Sequence, residues 1–401
     1  MAADTKESSV TQPELNTSPD TNATTETSES PDAMRAWIYT KAGINLAKAL
    51  TLVPNARRPP QPLPADKVLV RVTHTSLNPA DYKIPELGRL ASYMLTRSTS
   101  ATPGMDFAGV VEAVPDSQIQ SPLPASTSGK NLNNTLASKE EGRYKVGDKV
   151  FGHVTSTPFG TLGTYVQPSL SSIVPLPPNV STADASTLGT AAATAYQAIY
   201  PYVTPNAETP DEVFINGGSG GVGTFAIQIA AHVLGCKVTT SCSARNIELC
   251  KSLGADEVID YTTSPAAVLD ALRARGKAFK LVVDNVASRS SNLYEEADSY
   301  MVPEGTYIQV GGGFSLSEIS LLTRRALLPG FLTGGKKKRK FKFIVLEEDR
   351  NDLVKLGQWM EEGKIRAVID GDIFAFEDAP KAFEKLKTGR TSGKLIVKVS
   401  E

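Results

Sequence analysis

Gly218, Gly220 and Gly223 give the first chemical signal in this chain. They stand in GxGxxG spacing within Gly217-Gly218-Ser219-Gly220-Gly221-Val222-Gly223, directly after the apolar run Val213-Phe214-Ile215. A helical pattern follows, with Val222, Phe225, Ala226, Ile229 and Val233 on one face. Glycine at these positions permits a tight turn, lets backbone N–H groups approach a diphosphate, and lets the helix pack closely on the strand. The helix N-terminus then turns its partial positive charge toward the anion. Strand, loop, helix and next strand occur in the order that dinucleotide binding requires, so Gly218, Ser219, Gly220, Gly221, Val222 and Gly223 are expected to cradle a diphosphate. A nucleoside-triphosphate loop is disfavoured, because no Lys-Ser or Lys-Thr pair follows the glycines.

The end of the second strand decides which dinucleotide. An enzyme for NAD usually places Asp or Glu there, to accept from the ribose hydroxyls. This chain reads Ser241-Cys242-Ser243-Ala244-Arg245-Asn246, with no acid. Ser243 can donate to a 2′-phosphate and Arg245 can pair with it. One charge-assisted bond is worth about 1.5–3 kcal/mol, so a preference for NADPH of roughly ten- to a few-hundred-fold is expected. The alternative for Arg245 is a solvated residue opening the next helix.

These groups need a frame. Compact apolar runs at Val213–Ile215, Val238–Thr240, Val258–Ile259, Leu281–Val283 and Tyr307–Val310 alternate with helical periodicity, which implies a parallel sheet with covering helices. Before residue 183 the texture differs. Short strand-like runs at Met34–Tyr39, Val68–Val72, Phe107–Val114 and Lys149–Phe151 are punctuated by Pro and Gly. The end of the chain returns to that texture, with an amphipathic segment near Asp378–Leu386 and a strand Leu395–Val399. One domain inserted into another follows: a β-rich domain over 34–185, a dinucleotide-binding domain over 186–335, and a return over 336–401. Residues 1–33 lack large apolar side chains and read as a disordered tail. Residues 116–142 read as a polar surface insert. The basic run at 335–340 reads as a solvated loop before the strand Phe341–Val345, with nuclear-localisation and anionic-lipid roles as alternatives.

Composition narrows the classes. A formal net charge of −1 exerts no pull toward nucleic acid or anionic membrane, and no basic, aromatic-interleaved patch is present. No apolar run approaches the ~20 residues that span a bilayer. Cys236, Cys242 and Cys250 are too few for a disulfide framework and lack CxxC spacing. With only His74, His153 and His232 besides, a structural zinc site is not expected. No secretory or transit signal is visible, so the cytosol is the default location.

Together these features resemble the medium-chain dehydrogenase/reductases. The glycine loop is joined by Lys251-Ser252-Leu253-Gly254-Ala255-Asp256-Glu257-Val258-Ile259-Asp260-Tyr261, Asn78-Pro79-Ala80-Asp81-Tyr82-Lys83, Gly104-Met105-Asp106-Phe107-Ala108-Gly109, Gly147-Asp148-Lys149-Val150-Phe151-Gly152 and Gly389-Arg390-Thr391-Ser392-Gly393-Lys394. Within that superfamily the chain looks like the zinc-independent quinone oxidoreductase branch, the zeta-crystallin-like group. The fold implied is α/β: a Rossmann-type doubly wound parallel sheet inserted into a GroES-like, mostly β catalytic domain. The family's alcohol dehydrogenases hold catalytic zinc with a Cys, a Gly-His-Glu motif and a further ligand. Here Asn78 stands where the first Cys would be, and Met105-Asp106 replaces His-Glu. Without that Lewis acid, alcohol oxidation loses its main electrostatic help.

The chemistry implied is hydride transfer from NADPH to a small quinone or another α,β-unsaturated carbonyl acceptor. By resemblance, Asn78 and Tyr82 border the nicotinamide and substrate, and Tyr82 is the candidate to polarise or protonate the acceptor oxygen, with water as its rival. Thr190 holds the nicotinamide end, Tyr261 lies near the adenosine phosphate, Gly311 and Gly312 line the cofactor, and Phe343 packs at the cleft. Lys83 is expected as a solvated helix end and Asp106 as a turn or cap. Loops at Leu87–Ser100 and Ser315–Gly330 would shape the pocket. The alternatives are a trans-enoyl or 2-alkenal reductase serving a polyketide synthase and, from another class, a non-catalytic NADPH sensor. Relatives pair sheet edges, so a homodimer through Tyr307–Val310 at one end of the sheet is the assembly that analogy suggests.

Overall fold

The computed structural model describes Met1 and residues 33–98, 100–116, 144–155, 157–287, 292–310 and 340–401. The tail expected over 1–33 apart from Met1 and Ala33, nearly all of the insert expected over 116–142, Gly311, Gly312, the loop Ser315–Gly330 and the basic run except Lys340 lie outside the described residues.

Two sheets make up the body. The first is mostly antiparallel and runs β14-β3-β4-β5-β7, built from β3 (Leu69–Leu77), β4 (Asp106–Ala113), β5 (Lys149–His153), β7 (Ile173–Pro175) and β14 (Leu395–Lys398), with β6 (Tyr165–Val166) also on β3. A hairpin of β1 (Ala33–Tyr39) and β2 (Leu50–Arg57) packs beside it. The last strand pairs with β3 through Leu395↔Leu77 to Lys398↔His74. The chain therefore leaves this sheet after β7 and comes back to it near the end.

Between departure and return lies a six-stranded parallel sheet of order β10-β9-β8-β11-β12-β13. Its members are β8 (Glu212–Asn216), β9 (Lys237–Cys242), β10 (Glu257–Asp260), β11 (Phe279–Asp284), β12 (Met301–Gln309) and β13 (Lys340–Phe343). The order reverses between β8 and β11, and doubly wound sheets bind ligands in the crevice at such a switch. Val213, Phe214 and Ile215 are fully buried, as a central parallel strand covered by helices on both faces must be. Each such side chain contributes about 1.5–3 kcal/mol by leaving water. One core cluster joins Ala108 and Phe151 of the first sheet to Val213, Ile215 and Ile308 of the second through the helical stretch Leu188–Ile199.

The sheet edge differs from expectation. β12 is paired on both sides, with β11 and with β13, so Tyr307 is interior and Lys340–Phe343 forms the edge. The alternation of that strand, Lys-Phe-Lys-Phe, suits an edge: the lysines are exposed and the phenylalanines half-buried. No described helix is long and apolar enough to cross a membrane.

Candidate active site

The glycine loop is held by its neighbours before any ligand arrives. Gly217 takes φ +79°, a conformation side chains disfavour. Its N–H donates to Ser241 Oγ at 3.1 Å, and the N–H of Gly218 donates to Ser241 O at 2.9 Å. Ser241 Oγ donates to Asn216 Oδ1 at 2.6 Å, and Asn216 Nδ2 donates to Asp284 Oδ1 at 2.8 Å. Asp284 is buried and also accepts from Tyr307 Oη at 2.7 Å and from the amides of Val286 and Ala287. This chain of bonds ties the loop to the ends of β9, β11 and β12.

Close packing explains the glycines. A Cβ at Gly218 would sit 2.0 Å from Thr240 Oγ1, and one at Gly223 would sit 2.2 Å from Gly217 O. At Gly220 the nearest atom would be 3.5 Å away, so that side of the loop is open. The helix Gly221–Gln228 starts here, and its first amides have no intrahelical acceptor. Free amides at a helix N-terminus suit an anion such as a diphosphate.

Beside the loop, at the end of β9, is a cleft of about 340 Å³ lined by Arg245, Asn246, Asp370, Lys385, Thr388, Arg390 and Ser392. Asn246 is its organiser. Its Nδ2 donates to Ser219 Oγ at 3.0 Å, and its Oδ1 accepts from Ser392 Oγ at 3.0 Å, which binds the glycine loop to the closing segment of the chain. Arg245 donates to the backbone carbonyl of Arg390. Lys385 is engaged by Asp370, at 2.7 Å from its carbonyl and 3.3 Å from its carboxylate. Ser243 accepts a long bond of 3.5 Å from Asn246, and the amide of Tyr261 reaches Cys242 O at 3.1 Å, so both lie at this end of β9. Cys236, Cys242 and Cys250 are buried free thiols.

A second polar cluster lies on the other side of the loop, inside the β-rich domain. Asp106, Lys394, Asn78 and Asp81 are 0%, 3%, 4% and 4% exposed. Lys394 Nζ donates to Leu77 O at 3.1 Å and to Asn78 Oδ1, and it lies 3.5 Å from Asp106 Oδ2. Asn78 Nδ2 donates to Asp106 Oδ2 at 2.8 Å, and Thr190 Oγ1 donates to Asp106 Oδ1 at 2.5 Å. The Asn78 amide donates to Asp81 Oδ2 at 2.7 Å. Burial pushes the Asp81 carboxyl up to about 7, with Asp106 adding to the rise. Burial also lowers the Lys394 ammonium, against the pull of the two carboxylates. Thr190 is placed by a π-helical turn, Leu188–Ala192, a wide turn of the kind that often marks functional positions. The cluster touches the glycine loop directly: Gly393 N donates to Ser219 O at 2.8 Å, and a Cβ on Gly221 would lie 3.1 Å from Lys394 Cδ.

One expectation changes here. Asp106 is no turn or cap; it opens β4 and is the acceptor at the centre of this cluster. Lys83 stands in the last turn of the helix Pro79–Glu86, partly exposed. Tyr82 lies on the same helix, half-buried, with Lys387 Nζ 5.3 Å from its ring centroid. Burial raises its hydroxyl, and nearby Glu86 adds to the rise. Phe343 is half-buried at the end of β13 opposite Gln309.

The resemblance would place a catalytic zinc at Asn78 and Asp106. Zinc takes thiolate, imidazole or carboxylate ligands. Asn78 offers an amide that is already committed, both oxygens of Asp106 already accept, and a buried ammonium adjoins the carboxylate and would repel a dication. These residues do not fit zinc. Among the described residues no group of three His, Cys, Asp or Glu could hold a metal ion.

Lys394, Asn246, Arg390 and Lys385 were not singled out from the sequence as site residues. The signal available was the motif Gly389–Lys394, which carried the resemblance but no role.

Known proteins resemble this chain in sequence and fold. Residues 64–178 match the alcohol dehydrogenase GroES-like domain, and residues 253–397 match the zinc-binding dehydrogenase family. The trans-enoyl reductase pgmF of Aspergillus terreus is 39% identical over 381 residues, covering 92% of this chain and 98% of the relative. The 2-methylene-furan-3-one reductase of Solanum lycopersicum is 31% identical over 387 residues, covering 94% and 82%. Among solved structures, the quinone oxidoreductase from Coxiella burnetii superposes with a TM-score of 0.70 at 27% identity, covering 92% of this chain and 99% of that one.

Proposed function

The chain belongs to the medium-chain dehydrogenase/reductase superfamily, and on that premise we propose that it is an oxidoreductase passing a hydride from NADPH to an activated carbon–carbon double bond or a quinone, without zinc. The observation that carries the reading is the pairing of a diphosphate-shaped glycine loop with a buried polar cluster whose ammonium and amide do not suit a metal. Among acceptors, an enoyl thioester has the strongest support, because a relative of 39% identity over nearly its whole length is a trans-enoyl reductase.

In this reading the amides of residues 218–223 hold the diphosphate. Ser243, Arg245 and Tyr261, joined by Arg390 on the facing wall of the cleft, receive the 2′-phosphate. Thr190 holds the nicotinamide end, Phe343 packs at the cleft, and Asn78 and Tyr82 border the acceptor. The cofactor supplies the hydride. The protein's part is orientation, since holding reacting carbons at ~3–3.5 Å removes much of the entropic barrier. Hydride addition to an enone leaves negative charge on the carbonyl oxygen, and an N–H of Asn78 or the hydroxyl of Tyr82 can stabilise it. Water completes the reaction by protonating the α-carbon. A cytosolic location and a homodimer complete the proposal, and light scattering on the purified protein reads the latter.

The test is a panel of naphthoquinone, an α,β-unsaturated aldehyde and an enoyl thioester, with loss of NADPH absorbance followed on metal-assayed protein. Turnover of at least one acceptor by metal-free protein is expected. NADPH binding with no turnover on any of the three refutes the catalytic reading and leaves a nucleotide sensor. Zinc-dependent oxidation of a simple alcohol refutes the metal-free chemistry.

A further inference from the structure

Lys394 is the buried charge that the proposed chemistry leaves unused. We propose that it is a positioning residue: its ammonium sets the hydrogen-bond polarity of Asn78, Asp106 and Thr190, so that the nicotinamide side of the site presents one N–H donor and one hydroxyl acceptor. The inference rests on the oxidoreductase reading above.

Counting donors and acceptors gives the polarity. A lysine ammonium only donates, so the Asn78 atom facing Nζ must be the carbonyl oxygen. The amide nitrogen of Asn78 is then turned to Asp106, which as a carboxylate only accepts. Thr190 has a single hydroxyl hydrogen, and it is spent on Asp106 Oδ1. What remains is the second N–H of Asn78, suited to a carbonyl oxygen gaining negative charge, and the lone pairs of Thr190 Oγ1, suited to a carboxamide N–H. Carboxamide orientation is ordinarily degenerate by half a turn. Here the ammonium on one side and the Asp106 carboxylate on the other remove the degeneracy, so the Asn78 carbonyl does not turn toward the developing oxyanion and repel it.

Position strengthens the case. The stem of Lys394 packs on the glycine loop at Gly221, and Gly393 bonds to Ser219, so a single short segment closes the loop and aims Asn78. Among the described residues, two acidic side chains act on the ammonium, Asp106 and Asp81, both buried. Each N–H of Nζ has a mate: Leu77 O, Asn78 Oδ1 and Asp106 Oδ2.

The experiment uses Lys394→Met, which keeps the packed stem and removes the charge, and compares two probes by calorimetry: NADPH, and adenosine 2′,5′-bisphosphate, which lacks the nicotinamide half. The variant should bind NADPH about three- to tenfold more weakly, the loss of one ordinary hydrogen bond, while the fragment binds within about twofold of wild type. Turnover should fall more than NADPH affinity does, by roughly ten- to a hundredfold. Equal weakening of both probes overturns the proposal, because Lys394 would then serve only the loop and the fold. Unchanged NADPH binding overturns it as well. Asp106 is left as an unpaired buried carboxylate in Lys394→Met, so Lys394→Met/Asp106→Asn guards against a folding failure. It should show the same NADPH-selective loss, and recovery of wild-type affinity in the double variant would mean that Lys394 merely neutralises Asp106. A wild-type protein that binds neither probe sinks the oxidoreductase reading itself, a result distinct from the others.

Discussion

Replacing Arg245 with alanine removes a cation from the mouth of the cleft at the end of β9. Lys385 is already engaged by Asp370, so among the described residues lining the cleft the cations with no carboxylate partner are the guanidinium groups of Arg245, which donates to the Arg390 carbonyl, and Arg390. Arg245 is exposed, so the interaction is sized for a solvated pair. Two negative charges at 4 Å from one positive charge in water give about 2 kcal/mol. A charge-assisted hydrogen bond gives about 1.5–3 kcal/mol, which brackets the same figure. The expected loss in NADPH affinity is therefore roughly thirtyfold, with a range of about ten- to 150-fold. NADH has no 2′-phosphate and should change by less than about twofold, so the ratio of kcat/KM values for the two cofactors should collapse by nearly the whole amount. High salt should shrink the effect in wild type, since the Debye length falls to about 3 Å at 1 M. The assay is kcat/KM with each cofactor at low and high salt, backed by fluorescence titration of each nucleotide. An unchanged ratio would remove Arg245 from cofactor selection. A parallel fall with NADH would show that Arg245 serves the fold through its bond to the Arg390 carbonyl.

Other perturbations follow from the same contacts. Gly218→Ala forces a methyl group to 2.0 Å from Thr240 Oγ1 and should cost about 1–3 kcal/mol by overpacking, read by urea denaturation, with nucleotide binding lost. A variant with wild-type stability would contradict the packing account. Asp81, raised by burial to about 7, keeps its proton in the folded state at pH values where the unfolded chain has released it. Its contribution to stability is therefore present at low pH and lost as pH rises through about 7, by on the order of 4 kcal/mol. Asp81→Asn keeps an acceptor for the Asn78 amide and should flatten that slope in denaturation curves at acidic and mildly alkaline pH; an unaltered slope would show that Asp81 is ionised throughout. Tyr82→Phe should keep turnover within about threefold if Asn78 supplies the donor to the oxyanion, whereas a loss of a hundredfold or more would give that role to the Tyr82 hydroxyl.

The dinucleotide domain was legible because its signals are local. Apolar runs such as Val213–Ile215 and Leu281–Val283 mark buried parallel strands wherever they fall, and each proved part of a longer strand, Glu212–Asn216 and Phe279–Asp284. Glycine spacing works within one loop and needs no knowledge of the rest of the chain. The edge strand was misplaced for the opposite reason. Tyr307 is interior because Lys340–Phe343 pairs beyond it, and pairing between strands far apart in sequence leaves no trace in either one. Asp106 was misread in the same way, since an acid flanked by Met and Phe carries no mark of a lysine 288 residues later.

The amino-acid sequence determined which apolar runs become strands of the parallel sheet and where the glycine loop lies, and the missing acid after β9 is what turns the proposal toward a 2′-phosphate. Those properties depend on neighbours within a turn or a strand, where spacing and side-chain type suffice. The tertiary structure alone decided that Lys394, Asn78, Asp106 and Thr190 share one buried site and that Arg390 faces Arg245. Polar groups so far apart along the chain meet only when the final strand returns to β3, and burial then gives their charges and hydrogen bonds a strength they would lack in water.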